Sequence, residues 1–480
     1  DWTMGDVPIT VTQNVMRGLY RVDVKGAVVP DLLGGISTSA DGLVWTFQLK
    51  PGLRWSDGME LKADHAVAGL KRLVDPKVAS SYSGFLDAME SVKVTEPLAF
   101  QVKLKQALPT LPAILTHWVT YPVRPDLIEK WRDYGTNPKH MAFLGAFKID
   151  HWQKGLRIIL LPNPQAEMKA YFEKIEAWIV ADDQTAVNLF QTRQLELVTE
   201  PPATVPEAVR TRLIESPSPI LYFIGVNASH PLTRKREGIL ALRAALTLDE
   251  IPKILGGAHR PAELLCPPEI WKLLGTDAPS FASLTKGAKD EDLGGAEVTA
   301  RQWLTRGGFV DPDSIPPLKL AYFEKPSLRE LAQWIQARWK KELGIRVDLK
   351  GSEPKSYWKE QASSPAPTFL NSKGASYPDP EAFFDLFVSG NPQNLGRWKS
   401  VAYDGLVSAA SREAKSEARA ELYQKALIDV QWRNPGLIPL YYRATRYLVQ
   451  PYVKDLEINP LTSIDLTRGA RYEDPQPASP

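Results

Sequence analysis

Alternating hydrophobic and polar residues predict several strands in the first 180 residues of the chain. Residues 44–49, VWTFQL in one-letter code, alternate in this way, and Pro51-Gly52 ends the pattern. Similar stretches on both sides of Lys154-Gly155 predict a hairpin, and residues 92–94 with 100–104 predict another. The strands predicted in this part of the chain are residues 44–49, 92–94, 100–104, 147–149, 156–161 and 175–180.

Helical periodicity becomes more frequent after residue 230, where apolar residues recur at three- and four-residue steps. A helix predicted over 327–343 follows a strand predicted over 318–322, and Gly344 ends it before another strand at 345–349. This β-α-β order implies that the two strands pair in parallel. Further helices are predicted over 62–73, 182–191, 236–247, 296–305 and 413–431, and further strands over 220–226 and from 437 onward.

Length and composition indicate a large globular protein of the mixed α/β class. At about 150 residues per domain, 480 residues correspond to about three domains or lobes. The chain is 44% hydrophobic and 24% charged, which gives it enough apolar surface to fold and argues against disorder. Its 40 prolines are about 8% of the residues, against about 5% in an average protein, and they indicate many loops and strand ends.

The charge balance gives no reason to expect a nucleic-acid partner or an anionic membrane surface. Lysine and arginine number 58 and aspartate and glutamate 56, so the net charge is only +2. No apolar run reaches the roughly 18 residues that a membrane-spanning helix needs. Because the sequence starts at Asp1 in folded-looking sequence, either the chain is cytosolic or an export segment was removed.

No sequence motif of an enzyme or a metal site stands out, so we expect no catalytic residue, metal or cofactor. Cys266 is the only cysteine and is interpreted as a small buried apolar residue. Asp182 and Asp183 are interpreted as capping residues of the helix that they open. Glycine-rich phosphate loops and a Gly-x-Ser-x-Gly elbow are missing. No two of the six histidines lie three or four residues apart, and all are interpreted as structural: His65, His117, His140, His151, His230 and His259.

Five groups of residues occur in a characteristic order along the chain. The groups are residues 44–58 with Asp64, residues 144–147, residues 182–185 with 195–198, residues 375–380 with Phe383, and residues 438–442 with 448–449. Together they resemble the extracytoplasmic solute-binding proteins of ABC importers, specifically the large peptide/nickel-binding family 5, and within it the oligopeptide-binding branch most. The resemblance covers essentially the whole chain and implies a binding protein, not an enzyme.

The resemblance implies an α/β, two-lobed periplasmic-binding-protein fold of type II, cluster C, with an extra inserted domain. Residues 26–140 would form the inserted domain II, and residues 231–437 would form lobe III. Lobe I would be assembled from residues 1–25, 141–230 and 438–480. The hinge is expected near residues 227–231 and 435–438.

The implied function is that of the extracytoplasmic substrate-binding component of an ABC importer. The two lobes would enclose a small peptide or peptide-like ligand by hinge closure and deliver it to the ABC permease transmembrane subunits. The protein is expected to be a monomer in the periplasm, or at the outer face of the cytoplasmic membrane, after removal of a signal peptide. No cofactor is expected.

The resemblance also implies the ligand-binding residues. The backbone of Ser372, Gly374 and Ser376 would pair with an extended ligand, as in strand addition. Gly374 suits a close backbone approach, and a turn would explain it equally. The predicted ligand-binding residues are Val7, Tyr82, Tyr222, Ser372, Lys373, Gly374, Ala375, Ser376, Tyr377, Trp398 and Tyr441.

Ser376 departs from the family pattern. Peptide-binding relatives usually carry an aspartate at this position, where it pairs with the ligand's α-ammonium group, and a serine hydroxyl cannot neutralise a buried cation. Asp379 is not expected to replace that aspartate, since the pattern Asp-Pro-Glu is typical of the start of a helix. We therefore expect an N-blocked, non-peptidic or anionic ligand, with Lys373 as its counter-charge.

Two other classes of function are kept open. A ligand-responsive sensor or partner-docking protein on the same fold is one, and neighbouring permease and ATPase genes would favour import over it. A hydrolase acting on peptide or cell-wall material is the other, and it would need a perturbed carboxylate pair in a cleft.

Overall fold

Helices and sheets alternate through the chain in the computed structural model, which confirms the α/β class. The structure describes residues 9–80, 82–202, 204–280, 283–284, 298–459, 461, 464–466 and 471–472. The chain divides into two compact units, each described separately below. Unit 1 comprises Asp1–Ile214, Ser376–Pro378 and Arg446–Pro480, and unit 2 comprises Glu215–Ala375 and Asp379–Thr445. The three-lobe boundaries divide the chain more finely and stay a prediction.

The helices and strands in the described part of the chain have the following bounds. The strands are β1 (Tyr20–Val22), β2 (Val28–Pro30), β3 (Leu33–Thr38), β4 (Val44–Leu49), β5 (Met89–Glu96), β6 (Ala99–Leu104), β7 (Phe147–Gln153), β8 (Arg157–Pro162), β9 (Ile175–Trp178), β10 (Leu197–Thr199), β11 (Leu213–Val226), β12 (Arg260–Pro261), β13 (Leu318–Phe323), β14 (Val347–Ser352), β15 (Thr368–Gly374), β16 (Leu437–Val449), β17 (Val453–Lys454), β18 (Glu457–Ile458), β19 (Ile464–Asp465) and β20 (Arg471–Tyr472). The helices are α1 (Ile9–Val15), α2 (Ala63–Val74), α3 (Leu111–Ile114), α4 (Pro125–Lys130), α5 (Asp183–Gln191), α6 (Glu207–Arg210), α7 (Pro231–Arg234), α8 (Arg236–Ala244), α9 (Ile251–Leu255), α10 (Pro268–Trp271), α11 (Ala300–Arg306), α12 (Pro326–Leu343), α13 (Pro354–Ser363), α14 (Glu381–Phe384), α15 (Val401–Arg412) and α16 (Ser416–Ile428).

Unit 1 is built around two antiparallel sheets, with strand orders β3-β4-β6-β5 and β7-β8-β9. The hairpins predicted from alternation are β5–β6 and β7–β8, so both predictions are confirmed. Phe47 and Phe100 face each other across β4 and β6 and are fully buried, which explains the alternation in 44–49. Strand β10 also pairs with the last three residues of β16 in this unit.

One histidine in unit 1, His65, and one in unit 2, His230, are structural, as predicted. His65 is buried, its Nδ1 accepts the indole N–H of Trp55 at 3.1 Å, and burial lowers the pKa of its imidazole. In unit 2, His230 accepts the backbone N–H of Leu232 at 3.2 Å through Nδ1, which caps α7. Each ring thus satisfies a backbone or indole donor that would otherwise lack a partner.

Unit 2 contains a mixed sheet with the strand order β16-β11-β15-β13-β14, and β12 pairs with β16. Strands β13 and β14 are parallel and α12 connects them, so the predicted β-α-β unit is confirmed. Gly344 ends α12 in the left-handed conformation, with φ = 75°. Helix α12 turns Leu331, Ile335 and Trp339 into the core, each fully buried.

The structure corrects the predicted bounds of three elements. Strand β11 begins at Leu213, seven residues before the predicted start at residue 220. The predicted start follows Pro219, which has no N–H to donate, yet the carbonyl of Pro219 still accepts a hydrogen bond from the N–H of Ala375. The helix predicted over 413–431 is α16, which a π-helical turn continues at Asp429–Arg433. Helix α11 begins at Ala300, and residues 296–297 of its prediction lie outside the described residues.

Leu331 offers a direct test of how much the core contact of α12 contributes. We expect Leu331→Ala to lower the free energy of unfolding of unit 2 by about 2–5 kcal/mol, because it leaves a cavity in a fully buried site. Glu330→Ala changes the neighbouring exposed residue and should alter the free energy of unfolding by less than about 0.5 kcal/mol. Urea denaturation of both variants measures the difference, and equal losses would contradict the packing assigned to α12.

Candidate functional site

Strand β15 has one edge along which its last residues face no other described strand. Strand β11 covers the opposite edge in antiparallel register, with Tyr222 opposite Ser372 and Ile220 opposite Gly374. On the edge away from β11, strand β13 pairs only with Thr368 and Phe369. The backbone groups beyond this point are therefore candidates for pairing with a ligand.

The register decides which backbone groups point toward this edge. The N–H of Ala375 donates to the carbonyl of Pro219 at 3.0 Å, so Ala375 faces β11. Because backbone groups alternate along a strand, those of Lys373 also face β11 and those of Ser372 and Gly374 face away. We call these outward-facing backbone groups of Ser372 and Gly374 the open edge of β15.

Two backbone groups near the open edge already have hydrogen-bond partners within unit 2. The hydroxyl of Tyr357 donates to the carbonyl of Leu370, and the N–H of Ser372 donates to its neighbour Asn371 Oδ1 at 2.8 Å. The carbonyl of Ser372 and both backbone groups of Gly374 then remain on the open edge, facing no described strand. One donor and two acceptors in a row match the main chain of an extended peptide.

Gly374 is not required by the local backbone or packing. Its φ lies outside the left-handed region, and a Cβ atom built on it would lie 3.4 Å from Ile220 Cγ1. The turn that we considered as an explanation for this glycine is therefore not what the backbone forms here, since Gly374 is the last residue of β15.

An aromatic pair lies on β11 and β16, on the side of β15 away from its open edge. Tyr222 stacks on Tyr441 with ring centroids 4.7 Å apart and planes 6° apart, and His259 lies 5.2 Å from Tyr441. Burial raises the pKa of the Tyr441 phenol, which therefore stays protonated. The structure thus brings together two of the predicted binding residues. His259 is structural, as predicted, since its Nδ1 accepts the backbone N–H of Ala444 at 3.0 Å.

Lys373 lies between polar groups of its own unit. The residue is 7% exposed, and its Nζ donates to Gln393 Oε1 at 3.1 Å and lies 3.7 Å from Asp385 Oδ1. Burial raises the pKa of Asp385, and the Lys373 charge offsets part of this effect. A ligand anion would have to compete with Asp385 for this ammonium group. Asp385 lies twelve residues after Lys373 and carried no signal in the sequence.

Asp379 is held by an arginine that sequence reasoning missed. Its Oδ1 accepts the N–H of Glu381 at 2.9 Å, which confirms the predicted role at the start of α14. Arg419 also binds both carboxylate oxygens, at 2.7 and 3.0 Å, and both side chains are buried. Asp379 is thus already neutralised by a bidentate partner.

In unit 1, two predicted residues belong to one aromatic cluster. The cluster consists of Tyr82, Phe85, His117, Trp118 and Tyr377, and its neighbouring ring centroids are 5.0–5.6 Å apart. Tyr377 contacts it through Phe85, edge to face. Three members were missed, although the adjacent aromatic residues His117 and Trp118 were a signal that could have been read.

The remaining predicted residues lie elsewhere. The indole N–H of Trp398 donates to the carbonyl of Asn434 at 2.7 Å, and its ring packs edge to face on Tyr403 at 5.1 Å, apart from the Tyr222–Tyr441 pair. Ser376 is half-buried in unit 1, and Val7 lies outside the described residues. The ligand-binding roles of all these residues stay predictions.

The described residues contain few groups with unusual chemistry. Within them, no cluster of three or more histidine, cysteine, aspartate or glutamate side chains is placed to hold a metal ion. Cys266 is fully buried, as predicted, and burial raises the pKa of its thiol well above the ordinary value. None of the helices in the described part of the chain is both long enough and apolar enough to cross a membrane.

Comparison with known proteins then decides the family. A model of the bacterial extracellular solute-binding proteins, family 5, matches residues 27–394, which is well over half of the chain. The chain belongs to this family. Extracytoplasmic solute binding, not catalysis, is therefore its activity, and the resemblance inferred from the sequence motifs is confirmed.

Individual relatives agree with this assignment. The probable deoxycholate-binding periplasmic protein YgiS of Escherichia coli is 27% identical over 92% of this chain and 85% of its own length. The periplasmic oligopeptide-binding protein OppA of Salmonella typhimurium is 26% identical over 92% of this chain and 84% of its own. The structure of the Escherichia coli murein tripeptide binding protein MppA matches with a TM-score of 0.81 at 21% identity, over 97% of this chain and 94% of that one, and so shares the fold.

The Arg419–Asp379 pair should contribute strongly to the stability of this family member. We expect Arg419→Met to lower the free energy of unfolding by about 3–5 kcal/mol, because the Asp379 carboxylate stays buried without its partner. Arg412→Met removes an exposed arginine at the end of α15 and serves as the control. The double variant Arg419→Met/Asp379→Asn should recover much of the loss in urea denaturation, and a double variant no more stable than Arg419→Met would contradict the assigned pairing.

Proposed function

We propose that this protein is the substrate-binding subunit of an ABC importer and binds the main chain of a peptide or peptide-like ligand at the open edge of β15. The observation that carries the proposal is the alternation of backbone groups: the carbonyl of Ser372 and both groups of Gly374 face away from β11. Main-chain pairing of this kind tolerates varied ligand side chains. The peptide-binding names of OppA and MppA support the same ligand class.

We propose further that the ligand has no free α-ammonium group. Ser376 provides no carboxylate, and the nearest acidic residue in the loop, Asp379, is bound on both oxygens by Arg419. Burying an ammonium group without an opposing charge would cost several kcal/mol. An N-acylated peptide avoids this cost.

A steroid carboxylate is a second candidate ligand. The observation that favours it is the 27% identity to a relative named as a probable deoxycholate-binding protein. Such a ligand also lacks an ammonium group, so Ser376 would suit it equally well. It lacks a peptide main chain, however, and would leave the open edge of β15 unused.

The proposed role in an ABC importer also includes a partner and a division of the chain into lobes. The protein would act as a monomer and dock on the ABC permease transmembrane subunits. The lobe boundaries at residues 25/26, 140/141, 230/231 and 437/438 belong to this proposal. A ligand-responsive sensor remains the alternative, and permease and ATPase genes next to the coding gene would argue against it.

The state of the ligand's N-terminus can be tested with a tripeptide library in free and N-acetylated forms. We expect native mass spectrometry to show N-acetylated members bound in preference to free ones. Ser376→Asp should reverse the preference, since a carboxylate at this position neutralises the ammonium group, whereas the uncharged Ser376→Asn should not. Free peptides that bind tightly to the unmodified protein would contradict the proposal, and binding of deoxycholate alone would favour the steroid carboxylate.

The role of the open edge can be tested at one position with two substitutions. Gly374→Pro removes the N–H group that faces the ligand, and we expect it to weaken binding of the selected N-acetylated peptide at least about ten-fold. Gly374→Ala keeps the N–H group, and a Cβ atom fits at this site, so affinity should stay within about three-fold.

Both variants should keep their thermal unfolding temperature close to that of the unmodified protein, because the N–H group of Gly374 faces away from β11. Isothermal titration calorimetry measures the affinities. An equal loss in the two variants, or no loss in Gly374→Pro, would contradict strand addition at this edge.

A further inference from the structure

Unit 1 contains a cavity that the open edge of β15 does not touch. Its volume is about 280 Å³, and α1, α2 and β7 contribute to its walls, together with the 3₁₀ turn Trp118–Thr120. An apolar cavity of about 150 Å³ is large enough to bind benzene. This cavity could therefore hold one aromatic ring with a short substituent.

Two buried polar groups on the cavity wall have no hydrogen-bond partner among the described residues. They are the hydroxyl of Thr12 on α1 and the indole N–H of Trp152 on β7. Thr12 is 2% exposed, so bulk solvent does not satisfy it. A buried polar group without a partner is costly, and native proteins usually satisfy such groups with a protein atom, a water or a ligand.

The positive charge on the cavity wall favours an anionic ligand. Arg72, in the last turn of α2, lines the cavity, and no aspartate or glutamate is among its described lining residues. Arg72 forms no ion pair with any described residue. Apolar walls are supplied by residues such as Trp118 and Met141. The cavity thus combines apolar walls with the two unpartnered hydrogen-bonding groups, further hydroxyl side chains such as Ser80 and Thr136, and one exposed cation, Arg72.

We propose that this cavity is a second ligand site, which binds a small aromatic carboxylate such as phenylacetate. The ring packs against the apolar part of the wall, and the carboxylate accepts hydrogen bonds from Thr12 and Trp152 and pairs with Arg72. This site lies in unit 1 and uses none of the residues of the open edge, which belong to unit 2. It is therefore independent of the proposed peptide binding.

Phenylacetate itself is the probe in a titration followed by ¹H–¹⁵N NMR of the tryptophan indole groups. The Trp152 signal is assigned from its loss in Trp152→Phe. We expect phenylacetate to shift this signal in a saturable manner, and the uncharged phenylacetamide to bind at least about ten-fold more weakly, because it cannot pair with Arg72.

Two variants and a matched control test the assigned contacts. Thr12→Val removes the hydroxyl and keeps the shape, and Arg72→Gln removes the charge; each should weaken phenylacetate binding at least about ten-fold. Lys71→Gln removes the neighbouring charge on α2, which does not line the cavity, and should leave the affinity unchanged. The thermal unfolding temperature of ligand-free Thr12→Val should not fall, since the hydroxyl that it removes has no partner.

The outcomes are distinct. An unshifted Trp152 signal at millimolar phenylacetate would overturn the proposal and indicate that the cavity holds water only. A shift that Thr12→Val and Arg72→Gln leave unchanged would overturn it as well. Gly374→Pro should bind phenylacetate as the unmodified protein does, so failure at this site is distinguishable from failure of peptide binding at β15.

Discussion

The antiparallel register between β11 and β15 is the constraint on which the account of the binding site depends. One hydrogen bond, from the N–H of Ala375 to the carbonyl of Pro219, places every second residue of β15 toward β11. Ser372 and Gly374 consequently turn their backbone groups the other way. A shift of the register by one residue would reverse this arrangement and move the side chains of β15 to the opposite face of the sheet.

The surrounding contacts of unit 2 hold the residues next to this edge in place. Tyr357 satisfies the carbonyl of Leu370, where the cover of β13 ends, and Arg419 fixes the carboxylate of Asp379 beyond the loop. Asp385 and Gln393 hold the ammonium group of Lys373. These contacts use polar side chains that could otherwise bind a ligand, so main-chain groups are left as the principal recognition elements.

Much of the fold was predictable because local patterns determine it. The alternation in 44–49 predicted β4, and Gly344 marked the end of α12 before the second strand of the β-α-β unit. The site was less predictable, because its groups come from distant parts of the chain. The contact of Arg419 with Asp379 spans 40 residues and that of Tyr441 with His259 spans 182, and neither pair leaves a local pattern in the sequence.

Hydrogen–deuterium exchange at two adjacent amides of β15 tests the central claim most directly. The amide of Lys373 faces β11 and should exchange slowly with and without ligand, whereas the amide of Gly374 should exchange quickly in the ligand-free protein and slowly once an N-acetylated peptide is bound. Protection of Gly374 that appears only with ligand, beside a constant Lys373, is the predicted result. A Gly374 amide that is already protected without ligand, or that stays unprotected in the complex, would contradict strand addition at this edge.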